Sequence, residues 1–306
     1  MNIGIIGSGG REHSLCFKLL QSKKVKKIFC IPGNAGTNEI CKNLDLDILD
    51  FGQLYNSIKQ NNIKLVIVGP EVPLVQGITD FLENKNIKVF GPSKKASQLE
   101  GSKIFMKNLC SKFNIPAARY AEINDIESAH EALKNFKEPI VVKSDGLAAG
   151  KGVTICENKD DAIEDIKNIL DGKFKSSKKV IIEEFLDGEE ASYFVITDGT
   201  NFKQIGTAQD HKRVGEGDTG LNTGGMGAYS PSLLINEEIE KKIINKIILP
   251  TIKGMKELGC KYKGILYAGL MIKNNEPKLI EYNIRFGDPE CQALMLRLED
   301  DLLDII

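Results

Sequence analysis

The chain has 306 residues, 42% hydrophobic and 27% charged, which is the composition of a folded protein and excludes wholesale disorder. Forty-one basic residues against 42 acidic ones leave a net charge of −1, so no overall field favours nucleic acid or an anionic membrane. Apolar runs such as Ile265–Ile272 are far too short to span a bilayer, no leader segment follows Met1, and seven scattered cysteines without a Cys-x-x-Cys pair fit reduced cytoplasmic thiols better than disulfides or a zinc site.

At about 150 residues per domain, the length allows two domains. Asn2–Ile6 reads as a short buried strand and His13–Ser22 as a helix. Ile28–Ile31 is a strand, Gln53–Gln60 a helix, Leu65–Val68 a strand, Leu74–Glu83 a helix and Ile87–Phe90 a strand. Short β-branched runs alternating with helices predict an α/β unit with a doubly wound parallel sheet over residues 1–101. Ser102–Asn114 is predicted helical, as a connector. Beyond it, Ile140–Lys143 and Val153–Cys156 are strands flanking a glycine-rich loop, Lys159–Leu170 a helix and Val180–Glu183 a strand. Tyr193–Thr197 and Phe202–Thr207 form a hairpin through Asp198-Gly199. Ala208–Pro231 is long and aperiodic, which marks it as functional. Glu237–Lys256 is a helix with Ile239, Ile243, Ile244, Ile247 and Ile248 on one face and Glu/Lys pairs at i,i+4 on the other. Leu266–Ile272 and Lys278–Tyr282 form a late hairpin around Asn274-Asn275. The lysine clusters at 23–27 and 173–179 read as solvated loops.

Three glycine-bearing loops follow the first three strands: Gly7-Ser8-Gly9-Gly10, Pro32–Thr37 and Gly69-Pro70-Glu71. In an open parallel sheet such loops gather at the carboxyl edge, where ligands bind. Loop amides and the helix start after Gly10 suit a phosphate. The dinucleotide fingerprint fails because Glu12 stands where it needs glycine, so a phosphorylated small molecule is expected and not NAD. Lys143–Gly152 resembles a Walker loop but has Asp145 and Gly152 at its defining positions, with a strand following; it reads as a flap over a nucleotide, bracketed by Lys143 and Lys151. Glu183-Glu184-Phe185-Leu186 ends a strand and offers backbone groups and apolar walls to an adenine, with Glu190 placed for ribose hydroxyls. Glu281 and Asn283 share one face of a strand and supply the hard oxygens that Mg²⁺ prefers. Arg285, a fixed cation for phosphate oxygens, follows, with Asp288 in the next turn. His211 is a candidate base or orienting group.

Taken together and in order, Gly9–His13, Pro32–Thr37, Gly69–Glu71, Lys143–Gly152, Glu183–Glu190, Gln209–Arg213, Asn222–Gly227 and Glu281–Glu290 resemble the phosphoribosylamine–glycine ligase family of the ATP-grasp superfamily over essentially the whole chain. The resemblance implies an ATP-grasp domain over 102–306, made of two α+β subdomains with a flap subdomain at about 117–191. It implies ATP-dependent ligation of glycine to 5-phosphoribosylamine through glycyl phosphate. Lys103, Lys143, Gly146, Gly150, Lys151, Gly152, Glu183, Glu184, Phe185, Leu186 and Glu190 would hold ATP. Glu281 and Asn283 would hold Mg²⁺, with Mn²⁺ substituting. Arg285, Lys212 and Asp210 would be catalytic, with Arg285 at the phosphates. Gly9, Gly10, Arg11, Glu12, Asn34, Gly36, Glu71, Asp210, His211, Lys212, Asn222, Thr223, Gly224, Gly225, Met226 and Asp288 would face glycine and phosphoribosylamine. No protein nucleophile is required, and a monomer is expected. The family continues into a further small C-terminal domain absent from this chain, and Asp301–Ile306 has neither cap nor terminator, so a shortened form is expected. The alternatives are another ATP-grasp carboxylate–amine ligase and a non-catalytic ATP-binding fragment.

Overall fold

The computed structural model describes residues 1–147, 152–173, 179–211, 213–216 and 219–306, with the backbone alone at 213, 221 and 222. The candidate residues Gly150, Lys151 and Lys212, and the side chain of Asn222, lie outside the described residues.

The N-terminal part runs β1 (Asn2–Gly7), α1 (Gly10–Leu19), β2 (Lys27–Pro32), α2 (Ala35–Ile40), β3 (Lys42–Asn43), α3 (Phe51–Gln60), β4 (Ile63–Val68), α4 (Glu71–Gln76), α5 (Ile78–Glu83) and β5 (Lys88–Phe90). Its strands pair in parallel in the order β3-β2-β1-β4-β5. Helix α1 starts at Gly10, three residues earlier than its apolar pattern suggests, because Glu12 accepts from the Gly9 N–H at 2.6 Å and closes the first turn. The expected helix over Leu74–Glu83 is two helices, broken at Gly77, whose φ of +99° no side-chain-bearing residue adopts easily. Helix α2 was hidden by its turn-like composition; Asn34 caps it, accepting from the Thr37 N–H at 2.9 Å.

Two short helices, α6 (Gln98–Gly101) and α7 (Lys103–Lys112), lead into a four-stranded sheet of order β6-β9-β7-β8. Its elements are β6 (Tyr120–Ile123), α8 (Ile126–Leu133), β7 (Ile140–Ser144), β8 (Val153–Cys156), α9 (Lys159–Leu170) and β9 (Val180–Glu184). Ile140, Val142, Ile166, Ile169 and Ile182 make a separate small core beneath its helices.

The remaining strands are β10 (Glu189–Thr197), β11 (Phe202–Asp210), β12 (Arg213–Gly215), β13 (Thr219–Asn222), β14 (Ala228–Tyr229), β15 (Gly264–Lys273) and β16 (Glu276–Asn283). A five-stranded antiparallel sheet has the order β14-β11-β10-β15-β16, while β12 and β13 pair with each other. The aperiodic stretch Ala208–Pro231 thus contains the end of β11 and three short strands. Helices α10 (Glu237–Ile243) and α11 (Leu249–Glu257) flank a π-helical turn at Ile244–Ile248. Pro250 explains that turn: it has no N–H for the carbonyl four residues back and its ring would collide with it, so the preceding turn widens. Helices α12 (Glu290–Arg297) and α13 (Leu302–Ile305) end the chain. Leu74 and Ile78, on α4 and α5 of the first unit, share one core with Tyr193, Leu266 and Tyr282 of the last, so the N-terminal unit packs on the five-stranded sheet.

Candidate active site

Between the four-stranded and five-stranded sheets lies a cleft of about 450 Å³. Lys143, Glu183, Glu184, Phe185, Leu186 and Glu190, all expected at the nucleotide, line it, together with Val141, Val153, Ile155, Met271 and Ile280. It therefore sets an apolar wall beside charged side chains, and the chain connecting β9 to β10 forms its hinge.

Where Lys143 and Glu183 line the cleft, the charge is concentrated and buried. Lys143 Nζ lies 3.0 Å and Lys107 Nζ 3.1 Å from the same oxygen, Oε2 of Glu183. All three side chains are buried, and Oε1 of Glu183 has no hydrogen-bond partner. Two ammoniums on one carboxylate leave a net positive charge in a low-dielectric pocket, which is a receptor for an anion. Lys107 also donates to the Ala118 carbonyl at 3.1 Å; burial lowers its pKa, against the pull of Glu183. One turn earlier on α7, Lys103 donates to the Gly146 carbonyl at 2.9 Å. Burial lowers its pKa too, and its charged neighbours are Glu281, Lys143, Asp145 and Glu183. Lys103 therefore links the expected metal residue to the expected phosphate lysine.

Asp145 occupies the position that a Walker loop reserves for glycine, and the structure gives it a use. Its Oδ1 accepts from Ser102 Oγ at 3.1 Å and from the Ile104 N–H at 3.2 Å, tying the root of the glycine loop to the start of α7. Ser102 itself caps that helix.

Glu281 and Asn283 lie near the end of β16. Pairing with β15 slips at Gly269/Leu270, so Ile280 is an extra residue on the β16 side. Leu279 and Tyr282 consequently both face the core, at 0% and 2% exposure, whereas Ile280 turns into the cleft. Bulges of this kind re-aim side chains beside sites. Just beyond, Arg285 reaches the N-terminal unit, with Nε 3.0 Å from Glu71 Oε2 and Nη2 3.3 Å from Glu100 Oε1. Burial pushes Glu100 up to about 7, although Arg285 and the Ile284 N–H at 2.8 Å both favour its charged form. Burial also works to raise Glu71, and Arg285 reverses this, leaving Glu71 below the ordinary value.

At the N-terminal loops, the chain's own carboxylates meet the amides expected to face a phosphate. Glu12 takes the Gly9 N–H, and Asp288 takes the Arg11 N–H at 3.2 Å. Arg11 pairs with Glu12 at 2.6 Å and donates to the Phe286 carbonyl at 3.2 Å. The Gly10 backbone approaches Gln292 so closely that a Cβ would stand 2.6 Å from its Nε2. Asn34 donates to the Ser8 carbonyl at 2.8 Å, and Gly36 sits against His13. These residues join the first sheet to the Phe286–Pro289 turn.

The Ala208–Pro231 stretch closes the other side. Asp210 and His211 line the cleft, and the His211 and Met226 backbones pair through a 2.7 Å hydrogen bond. The Gly225 N–H donates to Thr223 Oγ1 at 3.0 Å. With φ of +113°, Gly225 packs so tightly on Pro289 that a Cβ would lie 2.4 Å from its Cδ. Gly224 faces open space. The loop thus stands between this cleft and the Asp288 turn.

Family models match in two adjoining blocks: phosphoribosylglycinamide synthetase, N domain, over residues 1–100, and phosphoribosylglycinamide synthetase, ATP-grasp (A) domain, over 101–291. The phosphoribosylamine–glycine ligases of Mesorhizobium japonicum and Pasteurella multocida are each 51% identical to this chain, over all of it and 72% of their own length. The chain belongs to the phosphoribosylamine–glycine ligase family. The phosphoribosylamine–glycine ligase structure of Thermotoga maritima is similar at a TM-score of 0.85 and 34% identity, covering 97% of this chain and 72% of that one. A biotin carboxylase of Campylobacter jejuni shares the fold at a TM-score of 0.74 and 18% identity, covering 99% of this chain and 69% of its own.

Membership in the phosphoribosylamine–glycine ligase family makes the chain a C–N bond-forming ligase that uses ATP to ligate glycine in purine biosynthesis. Within that frame, four residues of the site were not singled out from the sequence: Lys107, Glu100, Met271 and Ile280. Lys107 was detectable as the i+4 partner of Lys103 on one helix face. Among the described residues no helix is long and apolar enough to cross a membrane.

Proposed function

We propose that the triphosphate of ATP lies from the Glu183–Leu186 hinge towards Lys103, Lys107, Lys143 and Arg285, with Glu281 and Asn283 holding Mg²⁺ beside it. The observation that carries this reading is the buried cationic cluster whose Lys143 and Glu183 line a cleft with an apolar wall, with Glu281 among the charged neighbours of Lys103. The donor chemistry fits the metal. One carboxylate and one carboxamide are hard oxygen ligands, and no group of three or more His, Cys, Asp or Glu side chains among the described residues could hold a metal by itself. Mg²⁺ suits such a site because it keeps waters and takes its remaining ligands from phosphates. When bound at Glu281 and Asn283, the ion would supply positive charge that stabilises the phosphate oxygens.

The residues of the chain then act by position and charge. Lys143 and Lys107 hold an anionic group where water is scarce, so their attraction is strong. Glu183 Oε1, buried and unpartnered, offers an acceptor to the ligand. A glycine carboxylate oxygen attacks the γ-phosphorus and displaces ADP, giving glycyl phosphate. The amine of 5-phosphoribosylamine then attacks the acyl carbon and phosphate departs. Phosphoryl transfer of this kind needs alignment and charge stabilisation, which is consistent with the absence of a nucleophile from the assignment. Asp210, His211, Thr223–Met226, Asn34, Gly36 and Glu71 face the two substrates, while Glu12, Arg11 and Asp288 hold the loops in place. The enzyme works as a cytoplasmic monomer.

The decisive experiment measures ADP release with glycine and phosphoribosylamine together and singly, for the wild type and for Glu281→Ala. Release should require both substrates, and the substitution should lower turnover by about 10²-fold or more, the scale of losing a metal's charge stabilisation. Undiminished turnover in Glu281→Ala would remove the metal assignment.

A further inference from the structure

Three cysteines far apart in sequence converge between α1, β2 and the end of α2, beside a core shared with the C-terminal part of the chain. Cys16 lies in the middle of α1, Cys30 within β2, and Cys41 immediately after α2. The Cys16 and Cys41 sulfurs are 3.8 Å apart, in van der Waals contact. Cys30 points its thiol at the Gly7 carbonyl, 3.5 Å away. Cys16 and Cys30 are wholly buried, whereas Cys41 is partly exposed. Of the chain's seven cysteines, Cys41 alone is not buried. The catalytic reading uses none of the three, and no group of three or more His, Cys, Asp or Glu side chains among the described residues could hold a metal ion by itself.

We propose that Cys41 and Cys16 form an exchange site for small disulfides, Cys41 attacking and Cys16 resolving. Contact between the sulfurs, their placement on two different elements and the accessibility of one of them are what such a site requires. The electrostatics favour the attacking group and keep the resolving one protonated: hydrogen bonds to Cys30 and Cys41, with burial, push the Cys16 thiol far up. Thiol hydrogen bonds from Cys16 and Cys30 favour the Cys41 thiolate, His13 adds to this, and Cys30 is pushed up to about 12. In the first step the Cys41 thiolate attacks one sulfur of a low-molecular-weight disulfide RSSR, forming the protein mixed disulfide and releasing RS⁻. In the second step Cys16, losing its proton, attacks the Cys41 sulfur, forming the Cys16–Cys41 bond and releasing a second RS⁻. The protein dithiol is oxidised and RSSR is reduced to two thiols, so the exchange balances. The product ties the C-terminal end of α2 to α1. The N-terminal end of α2 carries Asn34, which holds the Ser8 and Gly9 carbonyls of the first glycine loop, so the bond would stiffen the edge where that loop sits.

The test treats the reduced full chain with glutathione disulfide and follows intact mass and linked peptides. The expected product is lighter by two hydrogens, retains no glutathionyl group, links the Cys16 and Cys41 peptides, and returns to the dithiol with excess reductant. Cys16→Ser should instead keep one glutathionyl group on Cys41, and Cys41→Ser should not react there. A separate reading needs no variant: in the folded wild type a small alkylating reagent should consume Cys41 about tenfold faster than any other cysteine. A stable adduct on the wild type, a link from Cys41 to Cys30, or first labelling at another cysteine would each overturn the proposal.

Discussion

Oε1 of Glu12 stands 1.9 Å from the point where a Cβ on Gly69 would be built, and the Glu12 side chain also fills the space beside Gly7. The first and third glycine loops are therefore shaped around a buried carboxylate of the chain itself. That carboxylate cannot swing away cheaply. It is 1% exposed and pinned by the Gly9 N–H and by Arg11. Gly69→Ala should force it off its partners and leave Arg11 buried without its charge. The expected loss is about 2–4 kcal/mol of unfolding free energy, read from the shift in urea midpoint. A loss within about 0.5 kcal/mol, the range of an ordinary surface change, would mean that the loops do not depend on Glu12.

Glu100 makes stability depend on pH near neutrality. Its folded value of about 7 lies above the ordinary 4.5, with burial as the largest cause. A raised carboxyl favours the folded state fully below the unfolded value, and that contribution fades as pH rises through the folded one. Relative to Glu100→Gln, the wild type should thus lose stability between about pH 4.5 and pH 7 and change little beyond. The shift corresponds to roughly 3 kcal/mol at most. Chemical denaturation of both proteins across that range checks the slope; parallel curves would place Glu100 at an unshifted value.

The alternation of β-branched runs with helices and the gathering of glycine loops at one sheet edge were legible because both depend on local pattern. So were Glu183–Leu186, a strand end with apolar side chains, and the shared face of Glu281 and Asn283. What escaped depends on the fold. Lys107, on α7, looks like a surface lysine until Glu183 is brought beside it from strand β9. Glu12 reads as a defect in a phosphate loop until Gly69 arrives from a third strand to make room for it. The bulge at Ile280 does leave a trace, since Leu279 and Tyr282 are both apolar at a spacing of three, which a regular strand cannot place on one face.

Lys107 offers a test of the buried cluster. Lys107→Met keeps the apolar stem but removes the charge and the donor to Ala118, leaving Glu183 to Lys143 alone. A loss of about 1–3 kcal/mol in stability is expected from the unsatisfied buried carbonyl and the weakened ion cluster. If Glu183 and Lys143 meet the nucleotide, the KM for ATP should rise several-fold while the KM for glycine moves little. Equal changes in both constants would point to general distortion.

The bulge in β16 can be separated from the fold that carries it. Removing Ile280 closes the ladder into regular pairing, with Leu279 still opposite Leu270 and Glu281 still opposite Gly269. Every remaining side chain keeps its face, so the strand should still form. The stability cost is then confined to one partly buried isoleucine, about 1–2 kcal/mol. Catalysis should suffer more. The local bend that aims Glu281 past Gly269 disappears, and the cleft loses a wall, so turnover should fall at least about tenfold, since displacements near 1 Å already cost catalysis on this scale or more. Thermal unfolding and ADP release measured on the same preparation distinguish the two effects. A deletion variant that folds and turns over at the wild-type rate would show that the bulge does not position Glu281.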